Sequence, residues 1–179
     1  MSLFLSKEQI HYKLKEFNFE EDLDRLYLNF KKTYENTLNF CKLVEIDKTI
    51  DYLKEHKEEK INPLIWQFGH VVFFYIKFIL KNLVYFDYQE FCQSIEDEYK
   101  INIRQLETFY DSFLTPTSVR LKKSFLLPYN MTYNLYNIVM INLKEYMIDY
   151  NLDCVDSYLI TLGILHNEMH NEAFIFTKL

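Results

Sequence analysis

The residues of this chain best suited to chemistry are its histidines: His11, His56, His70, His166 and His170. His166 and His170 stand four apart in the run HNEMH. On a helix that spacing sets both imidazoles on one face, one turn apart, where both can reach a single metal ion. Leu159 and Leu162 precede His166 on the same stripe and Ala173 follows His170, so the pair faces the core side. An unpartnered imidazole is costly there. Two readings follow from this spacing: a shared metal site, or core histidines hydrogen-bonded to partners. The zincin pattern HExxH is excluded, because Asn167 stands where its catalytic glutamate would be. Glu168 and Glu172 point away from the histidine stripe by helical angle and are not predicted as ligands.

His70 is less clear-cut. The chain has two glycines, Gly69 directly before His70 and Gly163 one turn before His166. Small residues would let the two helices approach closely. Lys77 and Lys81, however, lie within about 20° of His70 on a 3.6-residue wheel, which would place His70 on a solvent-facing stripe. Spacing leaves both arrangements open. His11 and His56 sit in polar surroundings and read as surface residues. There is no phosphate loop, no nucleophile elbow and no ordered Cys–His–Asn set. The acidic residues are expected on exposed faces.

The elements that must position these side chains are helical. Two glycines and three prolines in 179 residues are too few turns for a many-stranded sandwich or barrel. They also exclude a dinucleotide fold with its glycine loop. The length suits one domain, 1–179, with aromatic rings (18% of residues) filling the core. A formal net charge of −6 without a basic stripe argues against nucleic acid as partner. Three scattered cysteines, Cys41, Cys92 and Cys154, without a CxxC, fit reduced, buried thiols and a cytoplasmic setting. The N-terminus carries no signal-peptide pattern. The most apolar stretch, 64–86, is interrupted by Gln67, His70, Lys77 and Lys81, so it is predicted as a buried helix and not a membrane span.

Along the chain, Ser6 to Gln9 matches a capping box and predicts an N-terminal helix or arm within 1–20, with His11 inside it. Three- and four-residue steps predict a long amphipathic helix over 22–44. The charged run 47–62 is predicted as an exposed linker, at most a solvated short helix. Asn62-Pro63 opens the apolar helix, with proline at the first helical position. A further helix is expected over 96–113, then a loop bracketed by Pro116 and Pro128 that carries Arg120, Lys122 and Lys123. Helices over 132–150 and from 153 onward complete the set. The expected fold is an all-α bundle of four main helices with extra short ones.

Two separated elements carry a family likeness. Trp66-Gln-Phe-Gly69-His70, followed by His166-Asn-Glu-Met-His170-Asn-Glu172, resembles the DinB-like N-terminal domain of the sulfoxide synthases. These are the non-haem iron enzymes of ergothioneine and ovothiol biosynthesis, with the related selenoneine synthases. Weaker echoes are Tyr34-Glu-Asn-Thr37-Leu38, and Pro128 with Tyr136. The resemblance implies a DinB-like four-helix bundle in which His70, His166 and His170 form a three-histidine face on Fe(II). Zn(II) at the same residues is the alternative, as in a stand-alone thiol-dependent transferase or hydrolase. It further implies an oxidoreductase that joins a cysteine-type thiol to a histidine-derived imidazole with dioxygen, Glu172 lying outside the ligand set. Family enzymes continue into a domain resembling formylglycine-generating enzyme. This chain ends at Leu179, so that part is expected as a separate domain or subunit. A degenerate bundle acting as an interaction module is the non-catalytic alternative.

Overall fold

The computed structural model describes residues 9, 12, 22–43, 46–56 and 61–176. Of the helix expected around Ser6 and His11, only Gln9 and Tyr12 are described, both helical; Ser6 and His11 lie outside the described residues. Those described form helices and connections, with no strand among them. The main elements are α1 (Leu23–Leu43), α2 (Thr49–Glu55), α3 (Leu64–Phe74), α4 (Tyr88–Tyr99), α5 (Ile103–Tyr110), α6 (Thr117–Arg120), α7 (Tyr129–Asp149) and α8 (Cys154–Phe176). The predicted all-α class is observed. Apolar residues from α1 to α5, α7 and α8 meet in one core.

Helix α3 is the centre of that core. Every residue from Leu64 to Phe73 is buried, and the helix packs against α2, α5, α7 and α8. Such a helix must be apolar on all sides, and this one is, apart from Gln67 and His70. Leu64–Asn82 is long and apolar enough to cross a membrane, yet 78% of its most apolar window is buried within the fold. Its first turn is anchored differently from the expectation. Pro63 occupies the position before the first helical residue, and the Thr49 hydroxyl of α2 accepts from Leu64 N at 3.2 Å.

Three expectations about the elements are corrected. The charged run after Glu45 contains the short helix α2, whose Ile50 and Leu53 are buried with Ile46 in the core; only its other side is solvated. Steps of four and three residues between Ile46, Ile50 and Leu53 are enough to dock a segment otherwise dominated by charge. The single helix expected over 96–113 is two helices, α4 and α5. Lys100 adopts a left-handed conformation (φ 54°) that ends α4, and the Glu96 carboxylate accepts from Ile103 N at 2.9 Å to start α5. Asp87, whose side chain accepts from Gln89 N and Glu90 N, caps α4 well before the predicted start. Finally, the loop between Pro116 and Pro128 holds the one-turn helix α6, and its Arg120 is directed inward.

His70 is buried despite its lysine neighbours on the wheel, for a local reason. After Phe74 the helix widens into a π-helical segment, Tyr75–Ile79, and then tightens into a 3-10 turn, Leu80–Asn82. A wheel drawn at 3.6 residues per turn therefore does not carry from His70 to Lys77 and Lys81. His70 is only 9% exposed.

Candidate metal centre

His70 comes from α3, and His166 with His170 from α8, which packs against α3 and its π-helical continuation. The three rings gather at one place. Centroids of His70 and His166 are 5.1 Å apart, of His70 and His170 5.1 Å, and of His166 and His170 4.8 Å. One nitrogen from each lies within 4.8 Å of the others, so the set could hold a metal ion. Two ligands on one ion stand roughly 3–3.5 Å apart, so side-chain rotations of about an ångström would close the set. No cysteine or carboxylate joins this group among the described residues.

The two glycines serve different contacts: Gly163 lets α8 approach the continuation of α3, whereas Gly69 faces α5 and not α8. A Cβ on Gly69 would lie 2.1 Å from the Tyr110 ring, and one on Gly163 would lie 2.6 Å from the Tyr75 ring. With Gly69 in place, Tyr110 of α5 rests against α3 and its backbone carbonyl accepts from His70 Nδ1 at 2.6 Å. A carbonyl can only accept, so His70 carries its proton on Nδ1 and keeps a lone pair on Nε2.

The same logic fixes His170. Gln67 Nε2 donates to the Asn62 carbonyl at 2.8 Å, which turns Gln67 Oε1 towards His170 Nδ1, 3.3 Å away. His170 must then donate from Nδ1, leaving its Nε2 lone pair free. His170 Nε2 and His166 Nδ1 are both buried without a hydrogen-bond partner. A buried polar atom left unpaired costs about 1–3 kcal/mol, a penalty that coordination would remove. Outer hydrogen bonds that set the tautomer and orientation of an imidazole are the usual support of histidine ligands. These residues fit a metal ion.

Electrostatics point the same way. Burial, reinforced by repulsion from His170 and His70, pushes His166 down to about 3. Burial, with repulsion from His70, pushes His170 down to about 4. His70 is also lowered, chiefly by burial, against the raising effect of the Tyr110 carbonyl. All three are neutral at pH 7, the form that binds metals. Rings pack flat on two of them: Trp66 against His70 at 5.1 Å and Phe74 against His166 at 3.7 Å.

The remaining candidates are placed elsewhere. His56 is exposed, its ring stacked on Tyr52 and its Nδ1 bonded to the Tyr52 carbonyl. Glu172 is exposed and outside the histidine group. Asn167 is fully buried, accepting from the Tyr136 hydroxyl at 2.8 Å and donating to Thr37 Oγ1 at 2.9 Å. It ties α8 to α7 and α1 in place of the zincin glutamate's chemistry. Two acidic residues are buried, contrary to expectation. Asp156 accepts from the Tyr146 hydroxyl at 2.8 Å, and Asp111 pairs with Lys77 at 3.4 Å beside Tyr110.

Sequence reasoning missed Gln67, Tyr110 and Arg120 as supports. Gln67 had a signal, being a polar residue in an otherwise apolar helix one turn before His70. Tyr110 and Arg120 had none. No family model matches this chain, and no curated protein or solved structure does either.

Proposed function

We propose that this chain is a metal-binding, DinB-like bundle that serves as the iron-binding part of an O2-dependent sulfoxide synthase. The observation that supports it is the convergence of three neutral imidazoles from two helices, His70 and His170 buried and His166 partly so, two of them with a buried nitrogen left unpaired. The likeness of the WQFGH and HNEMHNE elements to the synthase motifs supplies the finer reading. Fe(II) held by His70, His166 and His170 would offer open coordination positions for a thiolate and dioxygen.

The chain's own contribution is a ligand set with no negative charge, leaving that charge for an incoming cysteine-type thiolate. Gln67 and the Tyr110 carbonyl hold the protons of His170 and His70 on the far side of their rings. Trp66 and Phe74 wall the histidines with apolar surface and exclude water from that side. The histidine-derived co-substrate would be recognised by a second domain or subunit resembling formylglycine-generating enzyme. A nitrogen-only donor set equally suits Zn(II), and this favours one second reading, a thiol-dependent transferase or hydrolase.

Metal analysis of protein purified without oxygen tests the proposal. Iron at about one equivalent is expected, lost in His70→Ala, His166→Ala and His170→Ala, with an absorption change on adding cysteine. Zinc in place of iron, unresponsive to reconstitution with Fe(II), would move the assignment to the second reading. Protein that takes up neither metal would reduce the bundle to an interaction module.

A further inference from the structure

We propose that Arg120, on the short helix after Pro116, is a positioning residue that orients two of the three histidines at once; this rests on the metal-site reading above. Its guanidinium acts through two separate routes.

The first route is a hydrogen-bond chain. Arg120 Nη1 donates to Asn62 Oδ1 at 2.9 Å. The backbone carbonyl of the same Asn62 receives Gln67 Nε2 at 2.8 Å, and Gln67 Oε1 faces His170 Nδ1. A guanidinium can only donate, so it fixes which way the Asn62 side chain points. Asn62 is thereby pinned just before α3, and with it the acceptor that sets the His170 tautomer.

The second route is a stack. Arg120 Cζ lies 4.2 Å from the Trp66 ring centre, and Trp66 in turn stacks on His70, nearly parallel at 9°. Trp66 is held in its plane by Nε1 donating to the Phe109 carbonyl at 2.7 Å. Arg120 is itself anchored by Nε to the Thr115 carbonyl at 2.9 Å and Nη2 to the Ser112 carbonyl at 2.8 Å. Three directions of the planar fork and its face are all engaged. Lysine keeps the charge but has neither the fork nor the flat face, so it cannot replace this residue.

The test uses cobalt(II) and zinc(II) as probes on the full chain. Affinity is measured by competition with a chromophoric chelator, and His170 is followed by its imidazole ¹⁵N signals. Arg120→Lys and Arg120→Ala should each weaken metal binding about 10–100-fold, the range typical of outer supports of histidine ligands. Both should also shift the cobalt absorption bands and relax His170 from a pure Nδ1–H tautomer to a mixture. Gln67→Met cuts the first route alone. In that background Arg120→Lys should cost clearly less than in the wild type, because only the stack remains to be lost. Should Arg120→Ala fail to fold, the Lys variant and Asn62→Ala decide by the same readouts. Wild-type affinity and an unchanged His170 signal in Arg120→Lys, alongside lost binding in His170→Ala, would overturn this proposal and keep the metal site. No cobalt or zinc binding by the wild type would overturn both.

Discussion

Replacing Gly69 with alanine sets two opposing effects against each other. Gly69 is inside α3, where alanine is the better helix former by about 1 kcal/mol. On propensity alone Gly69→Ala would stabilise the protein. The tertiary contact opposes this. The new Cβ would stand 2.1, 2.4 and 2.6 Å from Cε1, Cζ and Cδ1 of Tyr110, where ordinary contact begins at 3.4 Å. The ring must retreat by more than an ångström, and it has nowhere to go. It is fully buried, and its hydroxyl accepts from Leu127 N at 2.8 Å. Overpacking of this kind costs roughly 1–3 kcal/mol, and a strained or lost hydrogen bond adds about 1. The net expectation is destabilisation by about 1–3 kcal/mol, a fall in Tm of roughly 3–10 °C for a domain of this size. Urea unfolding of the metal-free protein with an unchanged m-value measures it directly. Because the Tyr110 carbonyl moves with its ring, metal affinity should fall as well. A variant stabilised by about 1 kcal/mol, with wild-type metal affinity, would refute the close approach of α5 to α3.

Acid should weaken the metal-free protein through the same histidines. His166 and His170 titrate near 3 and 4 when folded, well below the ordinary value of 6.5, so the unfolded chain binds more protons between those limits. Stability is then full above about pH 6.5 and falls as the pH drops, by about 2 kcal/mol per histidine from pH 7 to 5. Urea midpoints across this range should show the fall, and His166→Gln with His170→Gln should flatten it. Leu53→Ala should cost about 2–5 kcal/mol by chemical denaturation, since that fully buried side chain docks the charged segment; a loss under 0.5 would return the segment to an exposed linker. Asn167→Ala removes the acceptor of the buried Tyr136 hydroxyl and a donor to Thr37, and should cost about 1–3 kcal/mol, whereas a neutral result in the same assay would show the Thr37–Asn167–Tyr136 network to be dispensable.

The parts of the site legible in the sequence are those set by local periodicity. The i, i+4 spacing of His166 and His170 holds on any regular helix, and α8 is regular through both. The apolar run after Pro63 predicts a central helix because its composition leaves no face for water. His70 was different, since Lys77 and Lys81 argued the opposite by the same arithmetic. The π-helical turn at Tyr75 broke that arithmetic, and nothing in YIKFI announces it. The division between α4 and α5 was missed because Lys100 is an uncommon residue for a left-handed cap. Buried Asp111 and Asp156 were missed because a carboxylate is buried only when a distant partner receives it, and partners do not show in spacing.

An all-helical chain, a central apolar helix, and a histidine pair on one face of the last long helix can all be read from the residues in order. These follow from backbone and side-chain preferences within a few residues. That His70 joins that pair, which nitrogen of His70 and His170 carries the proton, and that Arg120 reaches Asn62 and Trp66 emerge from the folded packing alone. The reason is physical. Each of those outcomes depends on groups 40 to 103 residues apart brought within hydrogen-bond distance or van der Waals contact. Packing of α5 and α8 against α3 supplies that proximity, and the two glycines permit it.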